Sequence, residues 1–445
     1  SDEEMSKFTR RNFLKASGGA AIAASAMSIS PFAIGGAGKK VVVVGGGMGG
    51  AVAAKYIRMM DSSIEVTLIE ANKDYYTCFM SNEVIGGVRD INDIKFGYTG
   101  LAKHGVKVVH GMATGIDAAK RVVKTDQGDF AYDRCIVAPG IDFKYDGIEG
   151  YDAKVAEEIP HAWKAGSQTV TLRKQLEAMK DGGVVAMCPP PNPFRCPPGP
   201  YERASQIAMY LKKAKPKSKI IILDPKPKFS KMGLFTAGWE KYYGYGSDNA
   251  MIEWKGTPKG SDDQVLQSVD AKTKTVTTGF DELKADVLNV IPAQKAGKIA
   301  FAAGLTNDAG WCPVNGKTFE STIHKNIHVV GDAAIASPLP KSGYAANSEG
   351  KVAAAAIVAL LNGGKAPTPS YVNTCYSIIN EDNGVMDGIS VAMVYAWNEE
   401  TGKIDKVKGS GGLTPGYKDT TEEMRAREVQ YAHSWFENIT HDTFG

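Results

Sequence analysis

An excess of either charge is missing from this chain. Lys and Arg number 52 against 49 Asp and Glu in 445 residues, a formal net charge of +3. That balance excludes a general polyanion binder, so no nucleic-acid partner is expected. Cysteine is scarce, and six in a chain this long cannot staple a disulfide scaffold. No Cys-x-x-Cys-His occurs, which excludes a covalently held c-type haem on this chain. The seven histidines, among them His161, His324, His328, His433 and His441, lack ligand spacing, so no metal site is expected. Long apolar runs are absent too. Past the N-terminus nothing approaches the roughly 18 uninterrupted apolar residues of a membrane span.

What is present is ordinary globular composition, with 43% hydrophobic and 23% charged residues. The length suits two or three domains. The N-terminus reads as a targeting segment. Thr9-Arg10-Arg11-Asn12-Phe13-Leu14-Lys15 is a twin-arginine export pattern, followed by a weakly apolar Ala, Gly and Ser stretch to Ala26. Ser1 to Glu4, ahead of Met5, read as an appended tag, and cleavage is placed near Gly36. The expected mature protein is soluble and periplasmic, in an oxidising compartment where disulfides persist. Twin-arginine export carries folded proteins, so a cofactor loaded before export is expected.

Alternating strands and helices follow. Lys39 to Val44 is a buried-strand run, Gly45 to Gly50 a glycine turn, Ala51 to Met60 a helix, and Ile64 to Glu70 a second strand. Gly45, Gly47 and Gly50 make G-x-G-x-x-G, and Glu70 lies 20 residues beyond Gly50. Such glycines let backbone close on a pyrophosphate at a helix N-terminus, and the acid can bind a ribose hydroxyl. Far along the chain, Asn326 to Asp332 is a strand ending in Gly-Asp. Asp332 can accept a hydrogen bond from a ribityl hydroxyl. The two signals together predict an FAD-binding domain of the two-dinucleotide-fold flavoprotein class, split into residues 37–150 and 293–365. The strand and turn Tyr132 to Gly140 fit the exit from that domain.

Residues 151–292 repeat the theme, with strands at Gly183 to Met187 and Lys219 to Asp224 around a helix from Tyr201 to Lys212. The turn between them, Cys188 to Pro200, carries prolines where a nicotinamide cofactor would need glycines and free N–H groups. Electrons are therefore not expected to arrive from NADH. Residues 366–445 form an expected C-terminal α+β interface domain. The fold class is α/β, two Rossmann-like nucleotide folds plus that domain.

Tyr75-Tyr76-Thr77-Cys78-Phe79-Met80-Ser81-Asn82-Glu83, Phe194-Arg195-Cys196-Pro197-Pro198-Gly199-Pro200-Tyr201-Glu202 and Asn373-Thr374-Cys375-Tyr376-Ser377 resemble the flavoprotein subunit of flavocytochrome c sulfide dehydrogenase. Pro340 to Tyr344, Ser434 to Phe436 and His441 to Gly445 extend the likeness across the mature chain. The wider group includes sulfide:quinone oxidoreductases. The resemblance implies that Cys78 carries FAD through an 8α-S-cysteinyl thioether. It implies that Cys196 and Cys375 form a redox-active disulfide beside the flavin. It also implies that Glu202 is a general acid/base and that Trp435 packs near the reacting groups. Read from the residues alone, Cys78 is a buried structural cysteine, Glu202 a helix first-turn acid and Trp435 a core anchor. Cys188 remains a competing partner for Cys196, Cys135 reads as inert core, and Cys312 has no derived role.

The activity so implied is oxidation of hydrogen sulfide to zero-valent sulfur or polysulfide, with electrons passed to a c-type cytochrome subunit in a heterodimer. Thiol–disulfide exchange suits hydrosulfide, a small soft nucleophile. Two alternatives stand beside it. One is a sulfide:quinone oxidoreductase. The other is a non-catalytic flavoprotein that serves a sulfur-oxidising system by thiol exchange.

Overall fold

The computed structural model describes residues 38–445. The expected twin-arginine segment and its cleavage zone lie outside those residues. Lys39–Gly445 pack as one unit.

The first sheet grows from runs of β-branched and aliphatic residues. Strand β1 (Lys40–Val44) leads through the glycine turn into helix α1 (Met48–Met60) and strand β2 (Glu65–Ile69). Strands β3 (Lys107–Val109), β4 (Arg134–Val137) and the later β9 (Ile327–Val329) complete a five-stranded sheet ordered β9-β4-β1-β2-β3. All four pairings are parallel. Both faces are covered, which is why the strands read as continuous apolar runs rather than alternating ones. Val41 to Val44, Cys135 to Val137 and Ile327 to Val329 are buried in one core. Strand β9 returns beside β4 only after nearly 190 residues, so the first fold is discontinuous in sequence.

A second parallel sheet has the order β7-β6-β5-β8. It comprises β5 (Val184–Cys188), β6 (Lys219–Leu223), β7 (Ile252–Lys255) and β8 (Val287–Val290). Helix α2 (Ser167–Ala178) precedes β5, and helix α3 (Gly199–Ala214) follows the proline loop, with a proline in its first turn, where a missing N–H costs nothing. Helix α4 (Met232–Tyr243) packs on the same core. Two small antiparallel sheets, Ala113–Asp117 to Gly128–Ala131 and Leu266–Asp270 to Glu282–Lys284, were not read from the sequence. Their strands are short and mixed in polarity, and their pattern is that of polar loops.

The C-terminal layer is antiparallel. Long strands β10 (Ser370–Asp382) and β11 (Val385–Asn398) form a hairpin, with β12 (Lys403–Lys406) on the far side. Helix α5 (Gly343–Leu361) belongs to the first fold, and the last helix, α6 (Glu422–Phe444), crosses this hairpin and reaches that fold. There Phe444 stacks on Phe96 with ring centroids 5.5 Å apart. Asp442 accepts hydrogen bonds from the Tyr56 hydroxyl and Asn347 and pairs with Lys351 at 2.6 Å. The charged pattern of this segment is therefore that of a packed helix. No helix among the described residues is long and apolar enough to cross a membrane.

Candidate active site

A cleft of about 990 Å³ runs over the carboxyl ends of the first sheet. Gly45, Gly47, Glu70, Cys78 and Asp332, five of the six expected cofactor residues, line it. Gly50, the sixth, faces away from it. A Cβ at Gly50 would lie 1.8 Å from the Gly45 carbonyl oxygen, so this glycine lets α1 close against the turn. Gly45 sits at φ +100°, and a Cβ there would meet the Ala138 carbonyl oxygen at 2.2 Å. Glu70 lies just past β2, where its carboxylate accepts the N–H groups of Gly46 and Asn72 at 3.1 Å each. It both shapes the glycine turn and presents an edge to the cleft.

A dinucleotide fits this lining. The N-terminus of α1 has no side-chain cap, so its N–H groups are available to a pyrophosphate. At the other end, Asp332 Oδ1 and Arg195 Nε and Nη2 are buried without partners. Buried polar groups are normally satisfied, so these atoms mark where ligand oxygens and donors belong. Arg195 Nη1 lies 3.9 Å from Asp332 Oδ2. Burial raises the Asp332 carboxyl, opposed by the charges of Arg195 and Lys341. FAD would be held by the α1 turn, Glu70, Arg195 and Asp332, with Cys78 on the cleft wall.

The sulfur-bearing residues gather at that end. Cys196 follows Arg195 directly and adopts a left-handed backbone, φ +58°, with its N–H donating to the Lys341 carbonyl at 2.7 Å. Cys375 lies on β10, where Asn373 Nδ2 donates to its sulfur at 3.3 Å. It lines a second cavity of about 200 Å³ with Pro197, Pro198 and Ser230. Burial pushes the Cys196 thiol well above its usual range, and the charges of Cys78, Cys375 and Glu202 push the same way. Burial raises Cys375 too, opposed by Lys231 and the Asn373 hydrogen bond. All six cysteines are free thiols in the structure. The charge of Cys375 acts on Cys196, so the two cysteines of the expected pair share one buried site. Cys188 ends β5 inside the core of the second fold, with Leu223 and Val290, whereas Cys196 packs against the core of the first. Cys135 and Cys312 are fully buried.

Glu202 sits in the first turn of α3. One of its oxygens accepts from Asn82 Nδ2 and the other from the Ile378 N–H, both at 2.8 Å. Burial raises its carboxyl above the usual range, and those two hydrogen bonds oppose the shift. Trp435 does not line the cleft. It packs on Phe79 with centroids 4.9 Å apart and stacks on Tyr344 at 5.9 Å, one shell behind Cys78.

Sequence reasoning missed Arg195, Asn82, Arg203 and Lys231 as site residues. Arg203 is buried, donating to Asn82, His161, Ala162 and Asn289. It braces the segment that carries Asn82 against α3. The signal for Arg195 was a cation standing alone in an apolar proline loop. Nothing local distinguishes Lys231 from a surface lysine.

Fold and cleft together define a two-dinucleotide-fold flavoprotein, and comparisons with known proteins narrow the class. A family model for the central part of the sulfide dehydrogenase (flavocytochrome c) flavoprotein chain matches residues 169–292. One for the flavin-binding part of flavocytochrome c sulphide dehydrogenase matches 367–444. A pyridine nucleotide-disulphide oxidoreductase model matches 39–176. The flavoprotein chain of sulfide dehydrogenase (flavocytochrome c) from Chlorobaculum thiosulfatiphilum is 59% identical over 46 residues, 10% of this chain and 96% of that sequence. A type II NADH:quinone oxidoreductase from Staphylococcus haemolyticus is 30% identical over 115 residues, 25% of this chain and only 29% of that one. The sulfide:quinone oxidoreductase structure from Aquifex aeolicus superposes with a TM-score of 0.65 at 18% identity, covering 91% of this chain and 92% of its own, a likeness of fold. The chain belongs to the family of flavoprotein chains of flavocytochrome c sulfide dehydrogenase.

Proposed function

We propose that this chain oxidises hydrogen sulfide to zero-valent sulfur or polysulfide and passes the electrons to a c-type cytochrome subunit, its partner in a heterodimer. The observation that carries the reading is the convergence of Cys196, Cys375 and Glu202 beside the Cys78–Arg195–Asp332 end of the cleft. Cys78 is the proposed point of covalent attachment, through an 8α-S-cysteinyl thioether. Bound FAD supplies an acceptor that takes electrons in pairs and releases them singly.

The chain's own residues do the sulfur chemistry. In the oxidised protein Cys196 and Cys375 form a disulfide. Hydrosulfide attacks one sulfur, leaving a persulfide on that cysteine and a thiolate on the other. Glu202, whose carboxyl burial raises above its usual range, can take a proton from the incoming sulfide and give it back when sulfur leaves. Trp435 acts at a distance, holding Phe79 and Tyr344 behind Cys78. The proline loop supplies no glycine turn for a nicotinamide cofactor, which supports sulfide rather than NADH as the reductant. Export by the twin-arginine route to the periplasm completes the proposal and accords with a disulfide that must persist.

The fold likeness to a sulfide:quinone oxidoreductase favours quinone as the second reading for the acceptor. The test is purified mature protein given sulfide, with cytochrome c or a soluble quinone as acceptor. Flavin bleaching followed by rapid cytochrome reduction supports the proposal. Preferential quinone reduction transfers the acceptor to the second reading. Protein whose flavin sulfide does not bleach is a non-catalytic thiol-exchange partner, and the enzyme reading fails. Peptide mass mapping checks the Cys78 adduct and the Cys196–Cys375 link.

A further inference from the structure

Lys231 is a buried cation that the mechanism above does not use. Its ammonium donates to the Cys375 carbonyl at 2.8 Å and to Ser377 Oγ at 2.8 Å. Both acceptors are neutral, and one of its three N–H donors stays uncommitted among the described residues. Its backbone is left-handed, φ +57°, at the N-cap of α4, a conformation that costs a lysine energy. Burial depresses its ionisation to about 8, while the charges of Cys375, Glu202, Cys196 and Glu428 act to hold its proton. Its direct partners are neutral, so the acidic groups act on this ammonium only from beyond hydrogen-bond contact.

The exchange reaction supplies a counter-charge. Hydrosulfide carries one negative charge into the site. One S–S bond forms as the Cys196–Cys375 bond breaks, and the charge ends on the released thiolate. Atoms and electrons balance, and the pair goes from neutral to minus one whichever sulfur is attacked. A new charge in so buried a place is costly unless an opposite charge waits for it.

We propose that Lys231 is the positioning residue that compensates the thiolate of the opened Cys196–Cys375 pair, holding Cys375 through its carbonyl and stabilising the charge that exchange creates. This rests on the disulfide reading above. It assigns to α4 a part in the chemistry that the glycine turn, Glu202 and the cysteines do not cover.

The test reads the thiol rather than turnover. Flavin-loaded protein is reduced, and the rate of iodoacetamide labelling at Cys375 is followed against pH by peptide mass spectrometry. Lys231→Gln keeps an N–H donor and removes the charge, so the Cys375 ionisation moves up and labelling at fixed pH slows about tenfold. Lys231→Arg keeps the charge and stays within about twofold of the wild type. A wild-type curve from folded Lys231→Gln overturns the proposal. Should that variant not fold, the wild-type chain gives the reciprocal measurement. A thiolate beside Lys231 must tighten its proton, so acetylation of Lys231, relative to exposed Lys259, slows severalfold when the pair is reduced. Equal ratios in the two redox states overturn the proposal. A non-reduced peptide map without the Cys196–Cys375 link would instead defeat the disulfide reading, and the labelling curve would still decide the role of Lys231.

Discussion

Glu202 accepts the backbone N–H of Ile378 at 2.8 Å, at the point where strand β10 shifts register against β11 between Ile378 and Asn380. Strand β10 lies at the edge of its sheet, so its outward N–H groups have no ladder partner, and here a carboxyl from the second fold takes one. The same carboxyl accepts from Asn82, so one side chain joins α3, the C-terminal hairpin and the segment after Cys78. Removing it in Glu202→Ala strands both donors and should cost about 1–3 kcal/mol of stability, read by urea denaturation. Glu202→Gln should keep most of that stability while losing the ionisable limb from the pH profile of sulfide-driven flavin bleaching. An unchanged profile in Glu202→Gln would remove this residue from proton transfer.

His433 on α6 carries a pH dependence. Its Nε2 lies 3.0 Å from Glu83 and 3.6 Å from Glu381. Hydrogen bonds to Glu381 and Glu83 raise it from 6.5 to about 9. Burial raises Glu381 from 4.5 to about 7. Both groups hold protons more tightly folded than unfolded, so their contribution is present at low pH and lost as pH rises through the folded values. The Tm should therefore fall between pH 6.5 and 9, and His433→Ala should flatten that fall. Parallel curves for the two proteins would refute the assignment.

Gly50→Ala should separate cofactor binding from the sulfur chemistry. Its Cβ would overlap the Gly45 carbonyl, and backbone rather than a flexible side chain must give way. A loss of about 1–3 kcal/mol and a lowered flavin-to-protein absorbance ratio are expected. Gly47→Ala, whose Cβ meets only the Tyr75 ring at 3.4 Å, should be milder in stability.

Asp442 fastens the last helix to the first fold through Tyr56, Asn347 and Lys351. Asp442→Ala removes charged hydrogen bonds in a half-buried site, and a destabilisation of about 1.5–3 kcal/mol is expected. Faster proteolysis within Glu422–Phe444, with an intact first fold, is the check.

The first βαβ unit was legible because its signals are local. The Val41–Val44 run, three glycines and an acid after the second strand all lie within about thirty residues, and each has a direct backbone reason. The cysteine roles were not legible that way. Cys78, Cys196 and Cys375 belong to three segments, and composition treats them like Cys135 and Cys188. Only resemblance picked them out. Arg195 and Lys231 show the limit more sharply. A lysine at a helix cap and an arginine between proline-flanked residues look like surface cations, and both become site residues only through burial.

Sequence alone determined the two nucleotide folds, the glycine turn with Glu70, the Gly331–Asp332 strand end and the absence of a glycine loop in the second fold. These follow from periodicity and from backbone conformations that few residues can adopt. Tertiary structure decided the rest. It brought Asp332 beside Arg195 across more than a hundred residues, set Cys375 on a strand clamped by Lys231 and Glu202, and moved Trp435 one shell back from the cleft. The physical reason is that charge compensation and thiol ionisation depend on which groups share a low-dielectric space, and the chain order does not encode that sharing.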